Sequence, residues 1–406
     1  MTGDAATGRT SLIANCVAAY SARLHAVIGA THHVASPLGA WLLLALAGPA
    51  STGTDRDTLS EVLGCDVHSA ASAAAGLLAN PHPVVASAAA LWTTGGADLG
   101  AGFERWRAGL PPQVTTGDLP GQAGLDRWVR EHTFGLIDRF PIQDDGLELV
   151  LASALATKVS WEVPFDLAPA AGLGTSPWAA QLSQVLRTPA IGHTQYIAVT
   201  PDAGDVIVHV ASALGGLLVV SVAAAQDVPA SRVLAAAHRI GIKHATGTRV
   251  DRRDLAELPL GEGELWLVRE VTAASDRCIA LLPAWSATSQ HDLSDPALGF
   301  QAAIDAIAPV PGPWQARQSA MARYSRTGFE AAAATGVARA LAMRQLAQRR
   351  EAQLRFAHPY AVVAITTDAG SGGSGSWHGL PVFSAWVSRP EDASTDDPGA
   401  APGAPQ

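Results

Sequence analysis

Between residues 11 and 28, apolar side chains recur every three or four positions: Leu12, Ile13, Cys16, Val17, Tyr20, Leu24 and Val27. That spacing lines them along one side of an α-helix, and Ser11 stands where a side-chain cap would start it. Ser36-Pro37 opens a second helix, Leu38–Leu46, which is apolar on every side and therefore belongs in an interior. Asp57–Leu63 is a short helix that Gly64 stops. Leu125–Ile137 gathers Leu125, Trp128, Val129, His132 and Leu136 on one side, a stripe suited to lying on a flat surface. Further along, the period shortens. Asp205–Ala224 reads as two apolar strands joined near Leu214-Gly215-Gly216, and Leu265–Val271, Cys278–Leu282, Tyr360–Thr366 and Val382–Val387 are strands rich in β-branched and aromatic residues. Ser231–Ile240 is a helix between them. Helices come first and large mixed or antiparallel sheets after, without regular βαβ alternation, so the fold class is α+β.

Composition narrows the function classes. The 406 residues carry 36 acids against 27 bases, a net charge of −9, and are 48% hydrophobic and 16% charged. Such a chain buries enough apolar surface to fold and has no basic excess with which to neutralise a nucleic acid. Alanine is the commonest residue and lysine is nearly absent (Lys158 and Lys243), so runs of alanine carry little information. Cys16, Cys65 and Cys278 lie far apart and suggest neither a disulfide framework nor a zinc module. Met1–Ala5 lacks a basic segment followed by an apolar core, so no export signal is expected. Leu38–Ala50, the longest apolar run, is too short to cross a bilayer. On this reading the protein does not engage a membrane and is cytoplasmic by default. Residues 1–390 form a single domain, Gly370–Gly375 is a turn between the last two strands, and the Asp-, Ser-, Pro-, Gly- and Ala-rich residues 391–406 are a disordered tail.

Motifs for catalysis are lacking. Gly370, Gly372 and Gly375 match the glycine spacing of a dinucleotide loop, but that loop must open a helix, and Trp377-His378-Gly379-Leu380-Pro381 is a poor helix start. His32-His33 and the Cys65…His68 pair read as ordinary turn or surface positions rather than metal ligands. No nucleophile elbow or zinc-protease signature occurs, and spacing nominates no Ser-His-Asp triad. The expectation is a protein that is not an enzyme and uses no cofactor or metal.

Several segments, in the right order over roughly residues 10–390, resemble the serpin family of serine-protease inhibitors. His33–Leu38 with Thr58–Leu63 resembles the family's opening motif, and Leu125–Ile137 its Trp-Val…Thr-x-Gly helix. Leu149–Phe165, which includes Lys158, Trp161, Glu162 and Pro164, is similar to the long central strand. Leu281–Trp285 with Asp292-Leu293, and Phe356–Tyr360 with Val382–Val387 and Pro390, resemble the C-terminal half. The chain is identified as a member of this family, of bacterial type. Gly328, Phe329, Glu330, Ala331, Ala332, Ala333, Ala334 and Thr335 resemble the hinge of the reactive loop. Taken alone, Glu330–Leu354 is rich in helix formers. Its position between the two C-terminal matches assigns it instead to the exposed loop.

The resemblance implies a mechanism. A target serine or cysteine protease attacks the loop, forms an acyl-enzyme ester, and is trapped when the cut loop enters the main sheet as a new strand. With period two, Phe329, Ala331, Ala333, Thr335 and Val337 share one face, small to medium apart from Phe329. Counting along the loop puts the cleaved bond at Ala342–Met343, with Leu341 and Arg344 as alternatives. The sheet-opening region comprises His32, Ser36, Ser153 and Trp161. Here His32 and Ser153 replace asparagines, Gly39 a serine, Phe329 a Thr or Ser, and Arg326-Thr327 an acidic pair. Those departures leave a non-inhibitory serpin, a binding or chaperone-like protein, as the alternative. Residues 67–91 hold no Lys or Arg, so no heparin site is expected there. The protein is expected to act as a monomer. Family membership would also suggest an extracellular setting.

Overall fold

The computed structural model describes residues 2–94, 99–142, 147–308, 314–329, 347–367 and 375–394, with backbone alone for residues 2–11 and 329. The N-terminal part contains α1 (Thr2–Ile28), β1 (His33–Ala35), α2 (Pro37–Ala47), α3 (Gly53–Leu63), α4 (Val67–Ala79), β2 (Val85–Thr93), α5 (Gly100–Ala108), β3 (Val114–Asp118) and α6 (Gln122–Glu131). The middle contains β4 (Leu149–Thr157), β5 (Val159–Ser160), β6 (Asp166–Pro169), α7 (Pro177–Gln181), β7 (Gln184–Arg187), β8 (His193–Thr200), β9 (Gly204–Ala213), β10 (Leu217–Ala223) and α8 (Ala230–Ala245). Then follow β11 (Gly261–Glu262), β12 (Trp266–Ala273), β13 (Arg277–Leu282), β14 (Trp285–Asp292), α9 (Phe300–Ile307) and β15 (Arg317–Tyr324). The last elements are β16 (Gly328–Phe329), β17 (Ala347–Arg355), β18 (Tyr360–Thr366) and β19 (Pro381–Val387).

The α+β assignment holds. One six-stranded sheet runs β1-β19-β18-β10-β9-β8 and a second β11-β12-β17-β13-β7-β6. A three-stranded sheet, β3-β2-β4, and a two-stranded one, β14-β15, complete the scaffold with the short β16-β5 pair. Strands β18 and β19 are buried along their whole length, which explains their largely apolar sequences, with Ser384 of β19 the polar exception in mid-strand. Side-chain packing of α8 explains one glycine: a Cβ on Gly241 would collide with Ile365 Cδ1 of β18. The Leu125 helix does lie on a flat surface. Leu125, Trp128 and Val129 of α6 pack with Trp92, Val150, Ala152 and Ala154 of β2 and β4, and Trp92 meets Trp128 edge-on at 5.1 Å. That helix ends at Glu131, short of Ile137, because Phe134 and Gly135 adopt positive φ angles of 53° and 74°.

Two expectations fail. Residues 347–354, helix formers taken alone and assigned above to the exposed loop, are strand β17, held antiparallel by β12 and parallel by β13. Its Glu351 is buried and bound by Arg269 (Nε, 2.8 Å) and Arg277 (Nε, 2.7 Å) from the two neighbours. Nor is the C-terminal segment disordered from its first residue. Glu391 bridges Ala284, Asp392 Oδ1 accepts from the N–H groups of Ser183 and Gln184 at 2.7 and 2.9 Å, and Ala393 is buried. Residues 395–406 and most of Gly370–Gly375 lie outside the described residues.

Beneath the sheets, polar groups form a continuous chain. His33 Nδ1 donates to Thr31 O (2.7 Å), so its Nε2 accepts from His25 Nδ1 (2.8 Å). His25 Nε2 then accepts from the Ser384 hydroxyl (2.6 Å), while Ser21 lies 3.5 Å from Ser384 and 2.7 Å from His238 Nε2. Burial pushes His33 and His238 down to about 4, and pushes His25 lower still with help from its histidine neighbours. Among the described residues no group of His, Cys, Asp and Glu could hold a metal ion, the three cysteines are free, and no single helix is long and apolar enough to cross a membrane.

Candidate functional site

Strands β4 and β15 face one another across a cleft, each belonging to a different sheet, with no ladder between them among the described residues. At the start of β4 the cleft is a cavity of ≈ 300 Å³, lined by Leu149, Leu151, Phe300, Trp314 and Arg317 among others. Further along it narrows to ≈ 50 Å³ beside Ser36, Gly39, Ser153, Leu155, Gln318 and Ser319.

Both flanks of the cleft are tied to the first turn of α2. Ser36 caps that helix, its Oγ accepting from Gly39 N–H (3.3 Å) and donating to Val382 O (2.9 Å). On the β15 side, Gln318 donates to Ser36 O (2.8 Å) and accepts from Ser36 N–H (2.9 Å). On the β4 side, Ser153 Oγ donates to Gly39 O (2.8 Å). Space at Gly39 is short: a Cβ there would lie 3.2 Å from Ser36 Oγ and 3.3 Å from Leu155 Cδ1. Ser36 and Ser153 therefore meet at the cleft. His32 does not. Its Nε2 donates to Ser286 O (2.8 Å) and its Nδ1 accepts from Ser388 N–H (3.1 Å), which joins the start of β14 to the residues after β19.

At the head of the cleft the chain turns back. After Tyr324 closes β15, Ser325 N–H donates to Gly328 O (3.0 Å), and Gly328–Phe329 then run antiparallel to β5, with Gly328 opposite Ser160 and Phe329 opposite Val159. Trp161 is the socket for this turn. Its Nε1 donates to Ser325 O (3.0 Å), its backbone N–H to Thr327 O (3.1 Å), and Phe165 N–H to Arg326 O (3.0 Å). The Trp161 ring lies 5.0 Å from Tyr324 and 6.1 Å from Phe165. Behind them, His209 is fully buried and His193 is partly so. Burial lowers both imidazoles below their ordinary range, His209 well below, and burial raises the Tyr324 phenol.

Helices over a split central sheet, two further sheets, and a chain reversal at the head of the split match a known architecture. The fold is that of the serpins. Human glycosylated kallistatin is similar over 94% of this chain and 99% of its own, with a TM-score of 0.62 and 16% identity. Serpin48, a highly specific serpin from the insect Tenebrio molitor, is similar over 92% and 97%, with a TM-score of 0.56 and 15% identity. Human thyroxine-binding globulin, solved with its hormone, is similar over 95% and 99%, with a TM-score of 0.62 and 13% identity. No family model matches the sequence, and no curated protein does. These insect and human serpins give the bacterial-type assignment no support.

Of the hinge residues, Gly328 and Phe329 sit on β5. Glu330–Thr335 and the candidate bond residues Leu341, Ala342, Met343 and Arg344 lie outside the described residues. Sequence reasoning did not single out Gln318, Tyr324, His193, His209 or Phe165 as parts of this site. The alternation of buried positions at Ala320, Ala322 and Tyr324 was a signal for β15. Nothing local marks Gln318 as the partner of Ser36, 282 residues away.

Proposed function

We propose that the protein inhibits serine-type endopeptidases as a suicide substrate and is not itself an enzyme. One observation carries this reading: the chain after β15 enters the head of an unladdered cleft, already antiparallel to β5, in the direction that would carry residues 330 onward between β4 and β15. The serine Oγ of the target would attack a loop carbonyl, forming an ester and expelling the new N-terminus that leads into β17. The freed strand would then satisfy the backbone donors and acceptors of β4 and β15 that face the cleft, and that gain drives the insertion. By the loop count the cleaved bond is Ala342–Met343, with Leu341 and Arg344 as alternatives, and the partner is a serine or cysteine protease met by a monomer.

Mixing the protein with trypsin, elastase and subtilisin tests this. The expected product is a complex that survives SDS and exceeds either component in mass. Cleavage of the loop with release of fully active protease would refute trapping. Phe329, in place of the Thr or Ser that inhibitory serpins carry, and Arg326-Thr327 before it favour a second reading, a non-inhibitory binding or chaperone-like protein. Thyroxine-binding globulin shares the fold. On that reading the loop-cut protein gains no heat stability.

A further inference from the structure

The socket ends in hydrogen bonds whose direction is fixed by chemistry. His193 Nε2 lies 2.7 Å from Val163 O, which only accepts, so Nε2 carries the proton and Nδ1 is an acceptor. His209 Nε2, 2.9 Å from that Nδ1, must therefore donate. His209 Nδ1 is left to accept from the Tyr324 hydroxyl at 3.4 Å. Each ring holds one proton and uses both nitrogens, and the run ends on the last residue of β15, next to the turn into Gly328.

A second proton fits nowhere in this arrangement. On His193 Nδ1 it would oppose the His209 N–H. On His209 Nδ1 it would displace the Tyr324 proton and put a cation between Phe165, 5.2 Å away, and the buried strands. The groups facing the pair are few. From β8 come His193 and Gln195, the latter opposite His209; from β10 Ser221; from β15 Tyr324; and from the chain after Trp161 the Val163 carbonyl and the Phe165 ring. Asp166 of β6 is the charged group that acts on His193, and Arg187 already holds it at 3.7 Å. Because His193 is only partly buried, protons reach the pair from its side.

We propose that His193 and His209 are a proton-controlled latch on the hinge: neutral, they hold Tyr324 and the end of β15 in place, and acidification releases them and speeds opening of the cleft. This rests on the inhibitory reading above and adds its regulation. The sign follows from linkage. Both rings are held below the ordinary histidine range in the latched state and return toward it on release, so falling pH below about 6.5 favours the released state, by at most about tenfold per pH unit for each histidine.

The test adds a fluorescently labelled peptide with the sequence of residues 329–340 to the intact protein and follows uptake by anisotropy at pH 7.5 and 5.5. Wild type should take it up about tenfold faster at pH 5.5. His209→Gln, whose amide can donate and accept but not titrate, should take it up at one rate at both pH values, close to the neutral wild-type rate. Should His209→Gln fold poorly, His193→Gln, at a partly exposed position, should show a smaller acceleration by acid than wild type, because His209 still titrates. Equal acceleration by acid in wild type and in the glutamine variants overturns the latch while leaving the inhibitory reading intact. No acceleration of the wild type also overturns it. A peptide that is not taken up at either pH, together with a loop-cut protein that gains no heat stability, removes the inhibitory reading and the latch together.

Discussion

Replacing Gln318 by Leu isolates one tether of the cleft. The amide makes two hydrogen bonds to the Ser36 backbone, at 2.8 and 2.9 Å, and Ser36 is 5% exposed, so water does not reach the groups left behind. The two are not equally exposed to loss. Ser36 O still receives Ala40 N–H at 3.4 Å, whereas Ser36 N–H loses the partner described for it. A buried donor left unmade costs about 1–3 kcal/mol, and the weakened carbonyl adds part of a further bond, for a total of about 2–3 kcal/mol. With an unfolding entropy of about 2 cal/mol/K per residue, the intact chain should lose roughly 3 °C of Tm. Ser153→Ala on the opposite flank removes a single bond and should cost about 1 kcal/mol. The two sites hold one helical turn from opposite sides without sharing a partner, so the double variant should be additive within about 0.5 kcal/mol. Thermal and urea unfolding of the four proteins, read by near-UV circular dichroism, decide the matter. A Gln318→Leu protein within about 0.5 kcal/mol of wild type would show that the tether holds nothing.

Three further outcomes are expected. Gly241→Val should lower Tm by overpacking α8 against Ile365, costing about 1–3 kcal/mol, whereas Gly76→Ala, with nothing within 4 Å of its new Cβ, should be neutral or raise it. At Glu351, burial alone would raise the carboxyl, but the hydrogen-bonded guanidiniums of Arg269 and Arg277 outweigh it and hold it below the ordinary range. Its contribution is thus present at neutral pH and lost as pH falls below about 4. Glu351→Gln should destabilise at pH 7 by about 2 kcal/mol, the half-exposed arginines recovering the rest in water, and the difference from wild type should shrink in acid urea titrations. His25, His33 and His238 are buried neutral, so the unfolded chain takes up protons first. Stability should be flat above about pH 6.5 and fall between there and about 4, by at most about 1.4 kcal/mol per pH unit for each histidine, as measured by urea midpoints across that range.

How far the sequence led depended on whether the deciding contact was local. α2 was readable because Ser36 and Pro37 act within one turn, and β18 and β19 because burial on both faces demands largely apolar runs. The alanine-rich β2, β-branched only at its ends (Val85 and Thr93), and the Gln-, Ser- and Arg-bearing β15, with no β-branched residue, carry little of the signal that marks strands, and their partners make them strands. At Ala347–Leu354 neither the local helix propensity nor the assignment to the exposed loop gives the strand, which two flanking strands and the ion pairs of buried Glu351 impose. Within the site, Ser36, Ser153 and Trp161 came from the family resemblance. Tyr324 and His209, 115 residues apart, meet only because two sheets are stacked, and no spacing rule reaches that far.

Among the described residues, the strands from Ala347 onward are interior ones. β17 has β12 on one edge and β13 on the other, β18 lies between β10 and β19, and β19 lies between β18 and β1. A molecule nicked between residues 329 and 347 would therefore become two peptides but stay a single particle. It would elute unchanged from a sizing column, and its shorter fragment would come away only in denaturant.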